Sequence, residues 1–329
     1  MRNDEKMSAV PELSVVVPVY NEQENLPELL RRSLESLSAL NTEWELILVD
    51  DGSADDSMKM IREASEKNPG RVIGVILSTN FGQHAAVTAG LKVSRGKYIV
   101  TMDADLQNPP EEIGKLLEKL REGYDVVGTI RENRQDTFFR RYASKMVNFM
   151  VRSLCHGKTM TDYGCMLRGY SRSVVDAVLL CTEHGKFIPM LAMTFARKTV
   201  EIHVKHAERS AGESKYNCWK LIALQYDLLT GTSTFPLRLL TFFGFFTALF
   251  GVVFGIVVFI VSQIDKDWGY GGTFALFAIE IVLIGGQFAG MGLLGEYLGK
   301  IFINTRGRPQ FFIEEVTGRT CESDELKPI

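Results

Sequence analysis

The stretch that decides the fold reads Tyr98-Ile-Val-Thr-Met-Asp-Ala-Asp-Leu-Gln-Asn-Pro-Pro110, in which an apolar run ends at two aspartates one residue apart. The run predicts a buried strand, so the aspartates follow its carboxyl end, where open α/β sheets hold their ligands. Carboxylates at that position suit Mg²⁺ or Mn²⁺ bridging phosphate groups, although the pattern alone also fits a solvated acidic turn. We expect a metal site at Asp103 and Asp105, with Gln107 beside them.

The same pattern of an apolar run followed by a polar cluster recurs in the amino-terminal part of the chain. Between the first two runs, residues 24–40 place leucines at helical spacing. Short buried runs that alternate with helical patterns predict a mostly parallel sheet with helices on both faces. Strands are predicted from Leu13 to Pro18 and over residues 45–49, 72–77, 98–102 and 125–129, each with a candidate functional cluster after its carboxyl end.

The carboxyl-terminal part of the chain contains two long apolar segments. Residues 239–264 carry no charge, and residues 273–298 are apolar except for Glu280, Gln287 and Glu296. Each segment is long enough to cross a hydrocarbon core of roughly 30 Å at about 1.5 Å per residue. These segments predict two transmembrane helices, which account for much of the 46% hydrophobic content of this 329-residue chain.

The charges that flank the two apolar segments predict their orientation. Basic residues precede the first segment and follow the second, whereas the turn between them carries two aspartates and one lysine. The positive-inside rule therefore places both termini in the cytoplasm. Before the first segment, residues 216–229 mix Trp and Tyr with aliphatic residues, which favours a helix in the membrane interface over an ordinary packed helix. The flanking residues are Lys220, Arg238, Lys300, Arg306 and Arg308, and the turn holds Asp265, Lys266 and Asp267.

Three motifs in this order carry a resemblance to a known family. They are Val17-Pro-Val-Tyr-Asn-Glu22, Asp50-Asp-Gly-Ser53 and the stretch from Asp103 to Pro110. With two carboxyl-terminal spans, the chain from about residue 13 to 316 resembles the family 2 polyprenyl-phosphate glycosyltransferases of GT-A fold. Segments 82–84, 128–136, 162–168 and 208–216 are similar to the bacterial branch that transfers 4-deoxy-4-formamido-L-arabinose from UDP to undecaprenyl phosphate.

The resemblance implies a fold, an activity and a set of partners. It implies a GT-A, Rossmann-like domain, an inverting glycosyltransferase that uses Mg²⁺ or Mn²⁺, and a homotetramer in the bacterial inner membrane that serves lipid A modification and polymyxin resistance. The implied substrates are UDP-4-deoxy-4-formamido-L-arabinose and undecaprenyl phosphate. The expected divisions are a flexible segment 1–12, a cytoplasmic catalytic domain 13–215, an interfacial region 216–235, a transmembrane domain 236–299 and a cytoplasmic segment and tail 300–329, polar and disordered from Thr317.

The resemblance also assigns residues to the donor site. Pro18, Tyr20, Glu22, Asp50 and Gly82 are expected to line a uridine pocket. The turn at Asp51 is expected to contribute to nucleotide binding, as is Asp103 through the metal. From the residues alone, Asp50-Asp51-Gly52-Ser53 equally fits a helix cap with a tight turn.

The acceptor needs cations rather than a strong base. A polyprenyl monophosphate is mostly a dianion at pH 7, since its second pKa is near 6, so its main requirement is charge neutralisation. We expect this role for Arg131, Arg134, Arg209 and Lys215. Asp162 resembles the family's candidate base, and a role as base or as acceptor-positioning group stays open.

Several alternatives stay open at this point. The donor sugar could be glucose or mannose, and a membrane-anchored nucleotide-sugar sensor or flippase component without catalysis is a different class. A processive synthase is disfavoured because the chain lacks a Q-x-x-R-W motif. A net charge of -3 and the lack of a basic patch interleaved with aromatic residues predict no nucleic-acid partner. Gly290-x-Gly292-x-x-Gly295 matches a dinucleotide fingerprint but lies inside the second apolar segment, which predicts helix packing instead.

Overall fold

The computed structural model describes residues 10–131, 160, 165–182, 187–205, 235–264 and 271–319. The chain divides into two compact units, residues 1–215 with 308–329, and residues 216–307. The strands are β1 Leu13–Val19, β2 Trp44–Asp50, β3 Val72–Leu77, β4 Tyr98–Thr101, β5 Val126–Arg131, β6 Arg168–Ser171, β7 Thr199–Val204 and β8 Ile313–Thr317. The helices are α1 Leu26–Ala39, α2 Ser57–Lys67, α3 Gln83–Val93, α4 Ile113–Arg121, α5 Arg172–Leu180, α6 Ile188–Phe195, α7 Phe235–Ile264 and α8 Gly271–Thr305.

The first unit is built on one eight-stranded sheet. Its strand order is β7-β5-β6-β4-β1-β2-β3-β8, and only β6 and β8 run antiparallel to their neighbours. The five predicted strands are confirmed within one or two residues at each end. The predicted class is confirmed as an α/β mixed sheet, although no pattern in the chain predicted the short antiparallel strand β6.

Helices cover both faces of the sheet, as the alternating runs predicted. One core cluster packs α1, α2 and α4 against strand residues such as Val15, Val17 and Leu46. The other cluster packs α3, α5 and α6 against the strand residues whose side chains point to the opposite face, such as Val16 and Ile47. Because side chains alternate across a strand, a strand buried on both faces reads as a continuous apolar run, and the predicted runs have that form.

Strand β8 corrects the prediction for the end of the chain. The expectation of disorder from Thr317 is wrong for the first three residues, because β8 pairs with β3 and places Thr317 opposite Gly74. The Oγ of Ser65 donates to Oγ1 of Thr317 at 2.8 Å, and Gly318 accepts a backbone hydrogen bond from Gly70 at 2.7 Å. A short strand rich in glutamate, paired on one side only, carries too few apolar residues for its pattern to stand out.

The second unit contains the long helices α7 and α8. Gly290 of α8 is buried, and a Cβ there would lie 3.1 Å from Cδ2 of Leu240 on α7, so the two helices approach closely at this glycine. This contact agrees with the packing interpretation of the glycine motif. Within the described ranges, no helix is long and apolar enough to cross a membrane. The predicted interfacial helix over residues 216–229 lies outside the described residues.

Candidate active site

The candidate site lies where the strand order reverses. Strands β1, β2 and β3 are neighbours in chain order, and β4 then returns to the other side of β1, so a topological switch point lies between β1 and β4. Pairing of β4 with β1 ends at Val16, whose carbonyl accepts the N–H of Met102. Residues two apart on a strand direct their backbone groups to the same neighbouring strand, so the nitrogen of Pro18, like the carbonyl of Val16, faces the β4 side. At Pro18, however, β4 has already ended. A proline costs no ladder hydrogen bond there.

The loops after β1 and β2 are joined by reciprocal hydrogen bonds. The backbone N–H of Asn21 donates to Oγ of Ser53 at 3.0 Å, and Oδ1 of Asn21 accepts the N–H of Ala54 at 2.8 Å. Asn21 has a φ of 55°, a left-handed conformation that asparagine tolerates better than most residues. Next to this junction Tyr20 is 47% exposed, so it lies at the surface beside the two loops.

Glu22 is held on the same pair of loops. Its backbone N–H donates to Oγ of Ser57 at 3.0 Å, and its Oε2 accepts from Nδ2 of Asn25 at 2.6 Å. Both contacts lie at the start of a helix, since Ser57 opens α2 and Asn25 precedes α1. Glu22 is thus fixed against two helix amino termini at this edge.

Asp50 is the most deeply buried carboxylate of the site. Its side chain is fully buried, and Oδ2 accepts the backbone N–H of Ser53 at 3.1 Å. Its other oxygen, Oδ1, is buried without a hydrogen-bond partner in the part of the chain that the structure describes. A buried acceptor without a partner is costly, so this oxygen suits a donor N–H from a ligand, such as the imide of a uracil ring.

Asp51 holds the next loop of the site rather than presenting its carboxylate to a ligand. Its Oδ1 accepts the N–H of Phe81 at 2.8 Å and its Oδ2 accepts the N–H of Gly82 at 2.9 Å. Burial raises the pKa of Asp51, and the nearby Asp50 acts in the same direction, while the two N–H groups oppose the shift. We interpret Asp51 as a residue that positions the turn before α3, which refines its expected role in nucleotide binding.

Two glycines allow these loops to approach. Gly52 has a φ of 67°, and a Cβ at that position would lie 2.5 Å from the carbonyl carbon of Thr79. Gly82 has a φ of 94° and no atom within 4 Å of a built Cβ, so only its backbone conformation favours glycine. The expected open approach at Gly82 agrees with this geometry.

The loop after β4 presents its polar residues on one side. Asp103, Asp105 and Gln107 are partly exposed, whereas Ala104 and Leu106 between them are buried in the core. Leu106 has a φ of 60°, a strained conformation for a leucine, and strain of this kind clusters at functional sites. The structure therefore places the three predicted metal ligands along one side of a single loop.

A buried network that the sequence analysis missed anchors the far end of this loop. Asn108 is 3% exposed, and its Oδ1 accepts from the thiol of Cys165 at 3.4 Å. The same thiol accepts from Oγ1 of Thr129 at 2.9 Å. The network ties the loop after β4, residues 102–109, to β5 and to the segment that begins at residue 165, shortly after the candidate base Asp162. We call residues 102–109 the metal loop. Both Asn108 and Cys165 lie in quoted motifs, but nothing in their spacing indicated that they meet.

Gln83 is the second residue that the sequence analysis left without a role. Its Nε2 donates to Oδ1 of Asp103 at 2.7 Å, which links the start of α3 to the metal loop. Next to it, burial lowers the pKa of His84, whose Nδ1 has no hydrogen-bond partner among the described residues and whose ring meets Phe187 edge-on at 5.4 Å. Burial therefore favours the neutral form of the His84 ring.

Most of the predicted acceptor residues lie outside the described part of the chain. Arg131 is the last residue of β5, opposite Val204 in β7, so its backbone reaches the same carboxyl edge as the aspartates. The other four residues assigned to the acceptor, Arg134, Asp162, Arg209 and Lys215, fall in ranges that the structure does not describe.

The oxygen atoms of the metal loop suit a hard divalent cation that takes its remaining ligands from a bound phosphate group. Carboxylate and amide oxygens from Asp103, Asp105 and Gln107 are the atoms that Mg²⁺ and Mn²⁺ prefer, and Mg²⁺ commonly takes its remaining ligands from phosphate and water. No group of three or more His, Cys, Asp or Glu residues suited to a metal occurs among the described residues.

Comparison with known proteins identifies the family. The profile described as "Glycosyl transferase family 2" matches residues 14–179, which contain β2 to β6, all but the first residue of β1, and every described candidate residue. The chain belongs to glycosyl transferase family 2. This glycosyltransferase is 53% identical over 308 residues to undecaprenyl-phosphate 4-deoxy-4-formamido-L-arabinose transferase of Klebsiella pneumoniae (strain 342), covering 93% of this chain and 94% of the relative.

Further relatives carry the same name. The protein of Pseudomonas fluorescens (strain SBW25) is 53% identical over 305 residues, covering 92% of this glycosyltransferase and 89% of the relative. The resemblance found in the motifs is therefore confirmed. Among solved structures, glucosyl-3-phosphoglycerate synthase from Mycobacterium tuberculosis, crystallised with Mn²⁺ and UDP-glucose, has a TM-score of 0.46 at 20% identity, covering 67% of this chain and 77% of that one.

Proposed function

We propose that this glycosyltransferase transfers 4-deoxy-4-formamido-L-arabinose, with inversion, from its UDP donor to undecaprenyl phosphate at the cytoplasmic face of the bacterial inner membrane. The observation that carries the proposal is that hydrogen bonds join the loops after β2, β3 and β4 at the carboxyl ends of the strands. These loops carry the buried acceptor of Asp50 and the carboxylates of Asp103 and Asp105. The choice of sugar and lipid rests on the names of relatives about half identical to this chain along nearly its whole length.

In this proposal the donor lies across the ends of β1 and β2. Oδ1 of Asp50 accepts the imide N–H of the uracil ring, and the exposed ring of Tyr20 provides a stacking surface. The diphosphate then extends toward Asp103 and Asp105, which hold Mg²⁺ or Mn²⁺ with Gln107. When bound, the cation neutralises the negative charge that develops on the leaving diphosphate.

The acceptor needs orientation and charge neutralisation. Undecaprenyl phosphate brings its own nucleophilic oxygen, already largely ionised at pH 7. The backbone of Arg131 ends β5 at the edge that carries the metal loop, and we assign Arg131, Arg134, Arg209 and Lys215 to the lipid phosphate. Asp162 keeps its role as base or acceptor-positioning group.

The membrane arrangement is part of the same proposal. Residues 239–264 carry no charge, and many large apolar side chains on α7 and α8 are exposed, among them Phe242, Phe246 and Leu298. We infer that residues 236–299 hold two membrane-spanning helices, with residues 216–235 in the interface and both termini in the cytoplasm. The homotetramer and the service to lipid A modification and polymyxin resistance also belong to the proposal.

The decisive experiment offers the full-length protein, in detergent or nanodiscs, a panel of UDP- and GDP-sugars together with undecaprenyl phosphate and Mn²⁺. Mass spectrometry of the lipid product is expected to show 4-deoxy-4-formamido-arabinosyl undecaprenyl phosphate. A glucosyl or mannosyl product would reassign the donor, whereas nucleotide binding without any glycolipid would favour the sensor or flippase class.

A labelling experiment tests the topology. A cysteine introduced at Gly269, in the turn between the predicted spans, is expected to react with an impermeant thiol reagent in intact cells. The matched control is Glu118→Cys, at an exposed position on α4, which is expected to react only after the cells are permeabilised. Labelling of the unmodified protein is subtracted, and the reverse pattern would place the catalytic domain on the wrong side for cytoplasmic nucleotide sugars.

A further inference from the structure

One hydrogen bond at the site joins the loop after β3 to the loop after β4. The side-chain amide of Gln83, at the start of α3, donates to Oδ1 of Asp103 at 2.7 Å. Strands β3 and β4, which lead into these two residues, are separated in the sheet by β1 and β2. At about 4.8 Å per strand, their ends are roughly 14 Å apart, so the two loops bend toward each other over the ends of the intervening strands.

Backbone contacts beneath it hold the Gln83 end of this bridge. Asp51 accepts the N–H groups of Phe81 and Gly82, the two residues before Gln83, at 2.8 and 2.9 Å. The carboxylate of Asp51 is only 2% exposed. Gln83 then enters α3, where Ala86 donates to the carbonyl of Gly82 at 3.1 Å. The backbone that carries the amide is therefore fixed on both sides before any ligand binds.

An amide on one oxygen of a carboxylate fixes its direction without adding charge. An arginine there would compete with a cation for the carboxylate, whereas the neutral amide leaves the negative charge in place. We propose that Gln83 is a positioning residue that fixes the direction of the Asp103 carboxylate for binding of the divalent cation. The contact thereby joins the loop after β3, residues 78–82, to the metal loop. The inference rests on the proposed function, because it assigns the cation to the loop after β4.

Hydrogen-bond partners of metal ligands have a characteristic effect when they are removed. Loss of such a partner typically weakens metal binding by about 10- to 100-fold while the ligand itself remains. A glutamine that served only the stability of the loop would change the melting temperature and leave metal affinity intact. A glutamine that bound the donor phosphate directly would lower the affinity for UDP even without a metal.

The test measures Mn²⁺ binding to the purified full-length protein by the electron paramagnetic resonance signal of free Mn²⁺, with and without UDP. Gln83→Met keeps the length of the side chain and removes the amide, and Gln83→Asn keeps an amide that is one methylene too short. Both variants are expected to raise the dissociation constant for Mn²⁺ in the presence of UDP by about 10- to 100-fold. UDP affinity without metal is expected to change less than about threefold, by calorimetry.

Gln310→Met is the matched control. The amide of Gln310 also donates to an oxygen of the protein, the carbonyl of Thr182 at 3.3 Å, and Gln310 is not among the predicted site residues. This variant is expected to leave Mn²⁺ binding unchanged. Unchanged Mn²⁺ affinity in both folded Gln83 variants, or an equal loss of metal-free UDP affinity, overturns the inference.

The wild-type protein separates this inference from the proposed function. If wild type transfers the sugar and binds Mn²⁺ while the Gln83 variants bind it equally well, only the positioning role falls. If wild type binds no Mn²⁺ in the presence of UDP, the metal assignment falls and takes the positioning role with it. If wild type and variants differ as expected but no panel sugar is transferred, the positioning role stands and the proposed reaction falls.

Discussion

Buried carboxylates have different partners at the amino ends and at the carboxyl ends of the strands, here called the amino edge and the carboxyl edge of the sheet. At the amino edge, Glu45 is 1% exposed and its carboxylate pairs with Arg95 at 3.3 Å, besides accepting from Ser14 at 2.6 Å. At the carboxyl edge, Asp50 and Asp51 accept backbone N–H groups, and in the described part of the chain neither makes an ion pair. Arg95 neutralises Glu45 at the first edge, whereas at the second edge backbone N–H groups orient Asp50 and Asp51 without an arginine partner among the described residues.

The difference indicates which acidic residues take part in ligand binding or catalysis and which stabilise the fold. A carboxylate matched by an arginine within the protein is already neutralised and contributes to stability. A carboxylate held by N–H groups or an amide keeps its net charge and its direction, as metal and phosphate chemistry requires. If this distinction is correct, removing carboxyl-edge residues should affect catalysis, and removing amino-edge residues should affect stability.

The largest expected effect comes from Asp105→Ala. Loss of the carboxylate should remove the cation that offsets charge on the leaving diphosphate, and loss of one such electrostatic group typically costs 10² or more in rate. Transfer to undecaprenyl phosphate is measured with and without EDTA, and the melting temperature is followed in parallel. Asp176→Ala, at an exposed ion pair with Arg172 on α5, is the control that should retain its rate. Near-normal turnover in Asp105→Ala would remove the metal site from this loop.

The acceptor arginines come next. Arg131→Ala and Arg134→Ala should each lower kcat/KM for undecaprenyl phosphate by about tenfold to a hundredfold, because a charge-assisted hydrogen bond contributes roughly 1.5 to 3 kcal/mol. UDP affinity with Mn²⁺ present should change less than about threefold, by calorimetry. Arg31→Ala, in the exposed cluster with Glu28 and Glu35, is the control.

The arginine variants also show whether the loop after β5 binds the acceptor phosphate or the donor diphosphate. Replacement by lysine should restore activity only in part, since a point charge does not reproduce a two-pronged contact. Loss of UDP binding with normal acceptor kinetics would instead assign the loop after β5 to the donor diphosphate. The lipid phosphate would then have to be bound by Arg209 and Lys215.

The third prediction compares the same contact at both edges. Asp51→Asn should leave the N–H of Phe81 or Gly82 facing an amide NH₂ group, which costs about 1 to 3 kcal/mol and loosens the turn before α3. UDP affinity is therefore expected to fall about tenfold, by calorimetry. Asp125 also accepts two backbone N–H groups, from Arg197 and Lys198 at 2.8 and 3.0 Å, but at the amino edge.

Asp125→Asn is the matched control for that variant. Both N–H groups reach a single oxygen, Oδ2, so the carbonyl of an asparagine can still accept them. Its UDP affinity should stay within about twofold of wild type. Equal losses of UDP affinity at Asp51 and Asp125 would mean that general loosening of the sheet, rather than the position of the turn, controls nucleotide binding.

The sequence predicted where the candidate carboxylates lie in the fold better than it predicted the contacts between their loops. The runs ending at Asp50 and at Asp103 located two carboxylate clusters on one edge, because buried parallel strands leave a strong local pattern. The bridge from Gln83 to Asp103 and the network from Asn108 to Cys165 join residues 20 and 57 positions apart. Such contacts depend on how loops bend over neighbouring strands, which periodicity does not encode. Strand β8 was missed because five residues paired at an edge carry almost no pattern.

The smallest expected effect is at the amino edge, where Glu12 pairs with Arg121. Hydrogen bonds from Arg121 and Thr42 lower the pKa of Glu12 from 4.5 to about 2. Because the folded-state pKa lies below the unfolded value, this contribution is fully present above about pH 4.5 and is lost as the pH falls toward 2. The pair is partly exposed, so it should contribute at most about 1 kcal/mol. The melting temperature of Glu12→Gln should therefore lie slightly below that of wild type at pH 7, and the two melting temperatures should converge near pH 2 to 3.

Glu66→Gln, at an exposed position on α2, should match wild type throughout, and transfer rates at pH 7 should be equal in all three proteins. A slower rate in Glu12→Gln at equal stability would show that the amino edge influences catalysis, and the division between the two edges would fail.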